Sequence, residues 1–404
     1  MNQPKAPVKI VNGIHWVGAL DAALRHFDVV METQYGTSYN AYLVQGTDKT
    51  ALIDTVKDGF LLQSLELIKQ LMDPKKLDYI IIQHTEPDHS GSLAELLKFA
   101  PNAKVLCSKP ASLYLPHIAN RELPIEILKD GDMLDLGDKV LQFISAPFLH
   151  WPDTMFTYDT DTGALLTCDA FGCHFAAENV LESRTDPEFK QARRYYYDCI
   201  MSPFAPYVAK AVARVKALPQ VTTILPSHGP VLDVNPGEAV DMYAAWAAEQ
   251  TPSSGKDVFV GYVSCYGYTK TMAQSLKDKL CEAGFNVDMA ELSSISAAEA
   301  SGRMTKADAI AIGSPTVNAD ALPPIWLALS SLCVPLVRGK KAVVFGSYGW
   351  SGEAVPLIEQ RLTGLGIKVV GCSKTRFLPD EAALTDMQRL ALDLADVLCA
   401  NQQH

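Results

Sequence analysis

The hydrophobic pattern changes character near residue 250. Before it, short apolar runs of strand length dominate: Ile14–Leu20, Ala41–Val44, Ala51–Asp54, Tyr79–Gln83, Lys104–Cys107, Val140–Ser145, Met155–Tyr158, Ala164–Thr167 and Thr223–Leu225. Helical spacing covers Phe60–Met72, Leu93–Phe99, Glu188–Met201, Ala205–Leu218 and a stretch from Glu238 to Glu249. Many short strands with few helices predict an α+β unit in which sheets are covered by helices, in four layers. After residue 256 the pattern alternates. Strands Val258–Val263, Asn286–Glu291, Ala307–Gly313, Lys341–Gly346 and Lys368–Cys372 are interleaved with helices Lys270–Ala283, Ile325–Ser331, Glu353–Leu365 and Glu381–Cys399. Five apolar strands with intervening helices predict an α/β unit built on a doubly wound parallel sheet. The run Gln250-Thr251-Pro252-Ser253-Ser254-Gly255-Lys256 is small, polar and rich in breakers. It divides the chain into domains 1–250 and 257–404, joined by a linker at 251–256.

Composition narrows the class. A chain of 404 residues is long for a single hydrophobic core. Its net charge of −11 argues against nucleic acid and anionic membranes as partners. No apolar run is long enough to span a bilayer, and Met1 to Lys9 lacks the apolar stretch of a signal peptide. The nine cysteines are odd in number and form no C-x-x-C pair, which suits reduced thiols in the cytoplasm. Cys168 and Cys173 stand near a candidate ligand, but their spacing alone defines no metal site.

The candidate chemistry sits where strands end. Strand Tyr79–Gln83 runs into His84-Thr85-Glu86-Pro87-Asp88-His89. A curled loop there can aim His84 and Glu86 at one metal, and Asp88 and His89 at a second. The plain alternative is a solvated loop, with Asp88 or Ser90 capping the helix at Leu93. Three further segments weigh against that alternative: His150, after strand Val140–Ser145; Asp169, after strand Ala164–Thr167; and His228, after strand Thr223–Leu225. Seven ligand-type residues with one bridging carboxylate suit two metals that keep open positions for substrate.

This segment resembles the metallo-β-lactamase superfamily, whose usual motif is H-x-H-x-D-H followed by a His, an Asp and a final His. Here the second His is Glu86. A carboxylate is the harder ligand and shifts preference from zinc toward iron. With His150-Trp151-Pro152-Asp153, the variant looks like the diiron domain of the flavodiiron proteins.

Three loops mark the second half. Ser264-Cys265-Tyr266-Gly267-Tyr268-Thr269 joins a strand to a helix and can hold a phosphate on backbone N–H groups and hydroxyls. It is not a P-loop, and the chain has no G-x-G-x-x-G for a nicotinamide cofactor. Ser314-Pro315-Thr316-Val317-Asn318 follows the third strand, and Ser347-Tyr348-Gly349-Trp350-Ser351-Gly352 follows the fourth. Gly349 and Gly352 permit close approach to a flat ring, and Tyr348 and Trp350 offer aromatic surface. Flavin mononucleotide (FMN) fits at the switch point of such a sheet. The strings S-x-Y-G-x-T, G-S-P-T-x-N and F-G-S-Y-G-W-S-G resemble those of flavodoxin and of flavodiiron proteins. One departure is Ala319, where the family often has a second Asn.

The resemblance, which runs from about Ile10 to Cys399, implies a metallo-β-lactamase-like αββα sandwich followed by a flavodoxin-like doubly wound five-stranded sheet. It implies that His84, Glu86 and His150 hold one iron, that Asp88, His89 and His228 hold the other, and that Asp169 bridges them. In some members the residue matching His84 is not bonded to iron. His174, Tyr196 and Tyr197 are candidate pocket residues, with core or surface roles as the plain alternative. The implied activity is reduction of dioxygen to water, or of nitric oxide to nitrous oxide. Electrons would pass through FMN from an external donor: rubredoxin, or reduced deazaflavin. The implied assembly is a head-to-tail homodimer or a dimer of dimers. A zinc hydrolase fused to a flavodoxin module competes with this reading, as does a pure electron carrier.

Overall fold

The computed structural model describes residues 3–28, 31–249 and 255–400. They fall into two compact units, one within residues 1–250 and one within 251–404. Residues 251–254 of the expected linker lie outside the described residues.

Besides two short two-stranded sheets, the described residues of the first unit form two large sheets. One has seven strands in the order Val8–Val11, Ile14–Trp16, Tyr42–Gln45, Thr50–Ile53, Tyr79–Ile82, Lys104–Ser108 and Ile125–Leu128. The other has five: Met133–Asp135, Val140–Ser145, Met155–Asp159, Ala164–Cys168 and Thr223–Pro226. Period-two alternation makes the second sheet a divider. Leu141, Phe143, Met155 and Leu166 face the first sheet and join its core. Their neighbours Ile144, Phe156, Leu165 and Ile224 face the other way. There they meet Phe189, Val208, Val212 and Tyr243, from helices Phe189–Tyr196, Ala205–Lys216 and Pro236–Ala248. Leu65, Ile68 and Leu96, from helices Leu61–Leu71 and Leu93–Phe99, cover the first sheet. Two sheets packed face to face with helices outside make the αββα sandwich.

Two predicted elements break where the backbone is redirected. The run Ile14–Leu20 is not one strand. Ile14–Trp16 pairs with Tyr42–Val44, whereas Ala19–Asp21 pairs with Thr37–Tyr39. Gly18 lies at the break, where a Cβ would stand 2.3 Å from the Tyr39 carbonyl oxygen. The expected helix Glu188–Met201 is α-helical only from Phe189 to Tyr196 and continues as a π-turn over Tyr197–Met201. Such turns are frequent at functional sites.

A buried charge pair joins two neighbouring strands at one end of the second sheet. Lys139 Nζ lies 2.9 Å from Asp159 Oδ2, with both side chains buried. Lys139→Ala leaves the buried Asp159 carboxylate with only neutral partners, the Thr162 hydroxyl and the Asp161 N–H, and the expected cost is about 3–5 kcal/mol. Urea denaturation checks this. The double variant Lys139→Met/Asp159→Leu is expected to recover most of the loss; a single variant as stable as the parent would count against the assignment.

In the second unit five parallel strands run in the order Asn286–Glu291, Asp257–Tyr262, Ala309–Gly313, Lys341–Tyr348 and Lys368–Arg376. Helices on both faces bury it, as the two core clusters on opposite sides of the sheet record. The strand order turns back between Asp257–Tyr262 and Ala309–Gly313, which opens a crevice at their carboxyl ends. No helix among the described residues is long and apolar enough to cross a membrane.

Candidate metal centre and flavin loops

All seven predicted ligands converge at one end of the sandwich. His84 leaves the strand Tyr79–Ile82, and Pro87-Asp88-His89-Ser90 form a single helical turn after it. Asp88 is therefore inside a turn rather than capping the helix at Leu93. The Ser90 hydroxyl donates to the carbonyls of Thr85 and Glu86 and pins that turn down.

Two sets of donors form. His84 Nε2 and His150 Nε2 lie 3.2 and 2.9 Å from Glu86 Oε2. Both stand 3.6 Å from Asp169 Oδ2. In the second set, His89 Nε2 is 3.4 Å from Asp88 Oδ1 and His228 Nε2 is 3.1 Å from Asp88 Oδ2. These two imidazoles stand 3.2 and 3.3 Å from the other oxygen of Asp169, Oδ1. Donors bonded to one metal at about 2.1 Å are themselves spaced roughly 3.0–3.4 Å apart. Asp169 thus turns one oxygen to each of two cages.

Buried partners aim the rings. His84 Nδ1 faces Asp153 at 3.4 Å, and Asp153 Oδ2 accepts the Thr85 backbone N–H at 2.7 Å. His89 Nδ1 faces Asp54 at 3.7 Å, and His228 Nδ1 donates to the Ser38 carbonyl at 2.6 Å. Each contact turns Nε2 toward the cage, as outer partners of metal-bound histidines do. Asp153→Ala is expected to weaken metal retention about 10–100-fold, and Asp153→Asn less. Competition with a chelator measures it, and parental retention in the alanine variant would remove Asp153 from this role.

Electrostatics independently call for cations. Glu86, Asp88 and Asp169 are buried. Burial alone would raise the pKa of Asp169, but His89, His228 and His84 hold it well below the usual carboxylate range. Burial also disfavours a charged His84, yet Asp153, Glu86 and Asp169 outweigh it and raise its pKa to about 9. Protons on these rings do what metal ions do at neutral pH: they balance three buried negative charges. Both oxygens of Asp88 and Nε2 of His89 are buried and make no hydrogen bond of good geometry. Such groups facing a shared gap fit metal ions.

The candidate pocket residues separate. Tyr196 donates its hydroxyl to Asp169 Oδ1 at 3.1 Å. His174 is anchored through Nδ1 to the Thr37 hydroxyl at 2.9 Å, and its ring lies 5.1 Å from that of His228. Burial, with His228 beside it, lowers its pKa to about 3, so the ring is neutral. Tyr197 is not brought to the cluster. Its ring packs 5.1 Å from both Tyr243 and Trp246, because neighbouring helical positions point about 100° apart. Sequence reasoning missed Asp54 and Ser38. Asp54 stands just past a strand end with φ +54°, a signal of the same kind as Asp169. Asp153 lies within the quoted string around His150, but its role as an orienting partner was not assigned. Cys168 Sγ approaches His89 Nδ1 at 3.8 Å, and all nine cysteines are unpaired.

The three flavin loops form one rim. Thr269 and Ser347 share a buried hydroxyl hydrogen bond of 2.9 Å. The Thr316 N–H donates to the Ser347 carbonyl at 2.9 Å, and the Thr316 hydroxyl accepts from Ala354 N–H at 3.3 Å. Ser314 Oγ accepts the Leu322 N–H at 3.1 Å, which holds the Pro315 turn, while Asn318 and Ala319 have positive φ and stand exposed. Gly267 opens the helix Tyr268–Glu282 with φ +86°, and a Cβ there would meet nothing within 4 Å. The Lys270 N–H of that helix donates to the Ser264 hydroxyl at 3.3 Å, which leaves the N–H groups of Tyr268 and Thr269 for an anion. On the same rim Tyr266 and Trp350 are 84% and 91% exposed, and Tyr348 is half-buried. A planar ring covering those faces fits; the loops suit FMN.

The description "ODP family beta lactamase" matches residues 37–229, and "Flavodoxin" matches residues 260–394. A flavo-diiron protein of Clostridium acetobutylicum, FprA2, is 39% identical over 399 residues, covering 96% of this chain and 98% of that protein. This chain belongs to the flavodiiron protein family. A nitric oxide reductase of Moorella thermoacetica is 36% identical over 369 residues, with 90% of this chain and 91% of that protein covered. The solved rubredoxin oxygen:oxidoreductase of Desulfovibrio gigas shares 32% identity at a TM-score of 0.69, covering 98% of this chain and all of that one. For a flavodiiron protein, two donor cages over one carboxylate and a rim of three flavin loops are the expected equipment.

Proposed function

We propose that this flavodiiron protein reduces dioxygen to water, nitric oxide to nitrous oxide, or both. The observation that carries the reading is Asp169, whose two oxygens face separate donor sets. When bound, two ferrous ions and reduced FMN would supply the four electrons that, with four protons, convert one dioxygen to two waters, or the two that, with two protons, join a pair of nitric oxide molecules into nitrous oxide and one water. His84, Glu86 and His150 would hold one ion, Asp88, His89 and His228 the other, and Asp169, with one oxygen facing each set, would serve both. Three carboxylates among seven donors favour iron over zinc. Asp153, Asp54 and the Ser38 carbonyl keep the rings aimed, so each cage needs little reorganisation on loading. Tyr196 keeps a hydroxyl proton on Asp169, beside where substrate binds.

FMN is held by Ser264, Tyr266, Gly267, Tyr268 and Thr269 around its phosphate, and by the loops at Ser314–Asn318 and Ser347–Gly352 around its ring. The donor is a separate protein of the rubredoxin type, as the name of the Desulfovibrio relative suggests, or reduced deazaflavin. The working unit is a head-to-tail homodimer, alone or paired, in the cytoplasm. The protein is tested by reducing it without oxygen and then supplying dioxygen and nitric oxide in parallel. Turnover of at least one gas is expected; reduced iron and flavin that leave both gases unconsumed would overturn the reading.

A further inference from the structure

Among the described residues, one cavity opens on the donor cluster and a second approaches it from elsewhere, with no lining residue shared. The smaller, about 130 Å³, is a mouth whose charged lining is Glu86 and Asp88 themselves with Asp28 and Lys57, beside His26, Leu24, Phe27 and Pro87. The larger, about 260 Å³, is lined by the rings of Tyr35, His174, Tyr195 and Tyr196 with Ala192, by the neutral polar residues Thr33, Gln34 and Gln191, and by Glu32, its one charged lining residue. It ends on a wall one side chain thick. The His174 and Tyr196 rings meet edge-on at 5.0 Å. Beyond them, the Tyr196 hydroxyl touches Asp169 and the His174 ring faces His228.

The two routes differ in what they can hold. Carboxylates and a lysine keep the mouth hydrated, because stripping water from charge is costly. Neutral aromatic rings hold water weakly, and an uncharged diatomic gas gains by leaving water for such a surface. The geometry points to the larger cavity as the entry and holding site for the neutral gas substrate, with the charged mouth left to water and protons. This rests on the function proposed above. Tyr195 stands 45% exposed at the outer rim. A diatomic molecule passes that wall when the buried His174 and Tyr196 rings turn aside, which parts the Tyr196 hydroxyl from Asp169.

The test follows nitric oxide binding rather than turnover. The holoenzyme is reduced without oxygen and mixed with nitric oxide, and the absorbance change of its metal centre is timed by stopped flow. Iron and FMN content are matched first. Ala192→Phe fills the larger cavity and is expected to slow the change about tenfold or more, whereas Leu24→Trp at the mouth stays within about twofold of the parent. Where Ala192→Phe loses iron, Gln191→Trp plugs the same cavity from an exposed position. Equal rates in all variants, or slowing by Leu24→Trp alone, overturn the route. A parent protein whose reduced iron gives no response to nitric oxide overturns the proposed function, and the route with it.

Discussion

Asp169→Ala is expected to abolish gas reduction while leaving FMN bound and reducible. The carboxylate meets both donor sets, so its removal opens both cages together and leaves Tyr196 without its acceptor. Loss of a partner behind one ligand already costs about 10–100-fold in metal affinity or activity, and loss of a shared ligand exceeds that. The flavin loops belong to the other compact unit, whereas all seven donors of the cages lie in the first. Flavin absorbance, reduction by the donor and circular dichroism are compared with the parent. A folded variant with near-normal turnover of either gas would show that Asp169 does not bridge.

A hybrid dimer of two individually dead subunits is expected to regain one working site. One subunit carries Asp169→Ala and keeps its flavin. The other carries Ser264→Trp with Gly267→Val. The first change removes the hydroxyl that accepts the Lys270 N–H and puts an indole in its place, and the second puts a β-branched side chain where φ is +86°. That subunit keeps its iron. If electrons pass between chains, the flavin of the first serves the metal centre of the second, and activity returns to about half per dimer, since a symmetric dimer offers two equivalent contacts. Passage within a chain leaves the hybrid dead. An isolated heterodimer with bound iron and reducible FMN, yet no activity, excludes the cross-chain path.

Much of this architecture was legible because two signals are strong in sequence. Strand ends carry ligands, and the strands Tyr79–Ile82, Ala164–Cys168 and Thr223–Pro226 delivered His84, Asp169 and His228 to one place. The regular alternation after residue 256 fixed the parallel sheet to within a few residues at each boundary. What stayed hidden had a weak local signal. Strands Val8–Val11, Ile125–Leu128 and Met133–Asp135 are short and part-exposed at or near sheet edges, so their pattern resembles loop. Helix Ala111–Ala119 contains Pro116, which argues against a helix when read locally. Tyr196 and Tyr197 are adjacent and alike, and only the packing of their helix decides which one meets Asp169. Asp54, Asp153 and Ser38 act through space on rings distant in the chain, a relation that spacing does not encode.

The metal and flavin content of protein expressed with both iron and zinc available tests the central claim most directly. Seven donors, three of them carboxylates around one bridging Asp169, are expected to hold about two iron ions per chain, with about one FMN on the loop rim. Zinc in stoichiometric amount with little iron would contradict the account and turn the first unit into a candidate hydrolase.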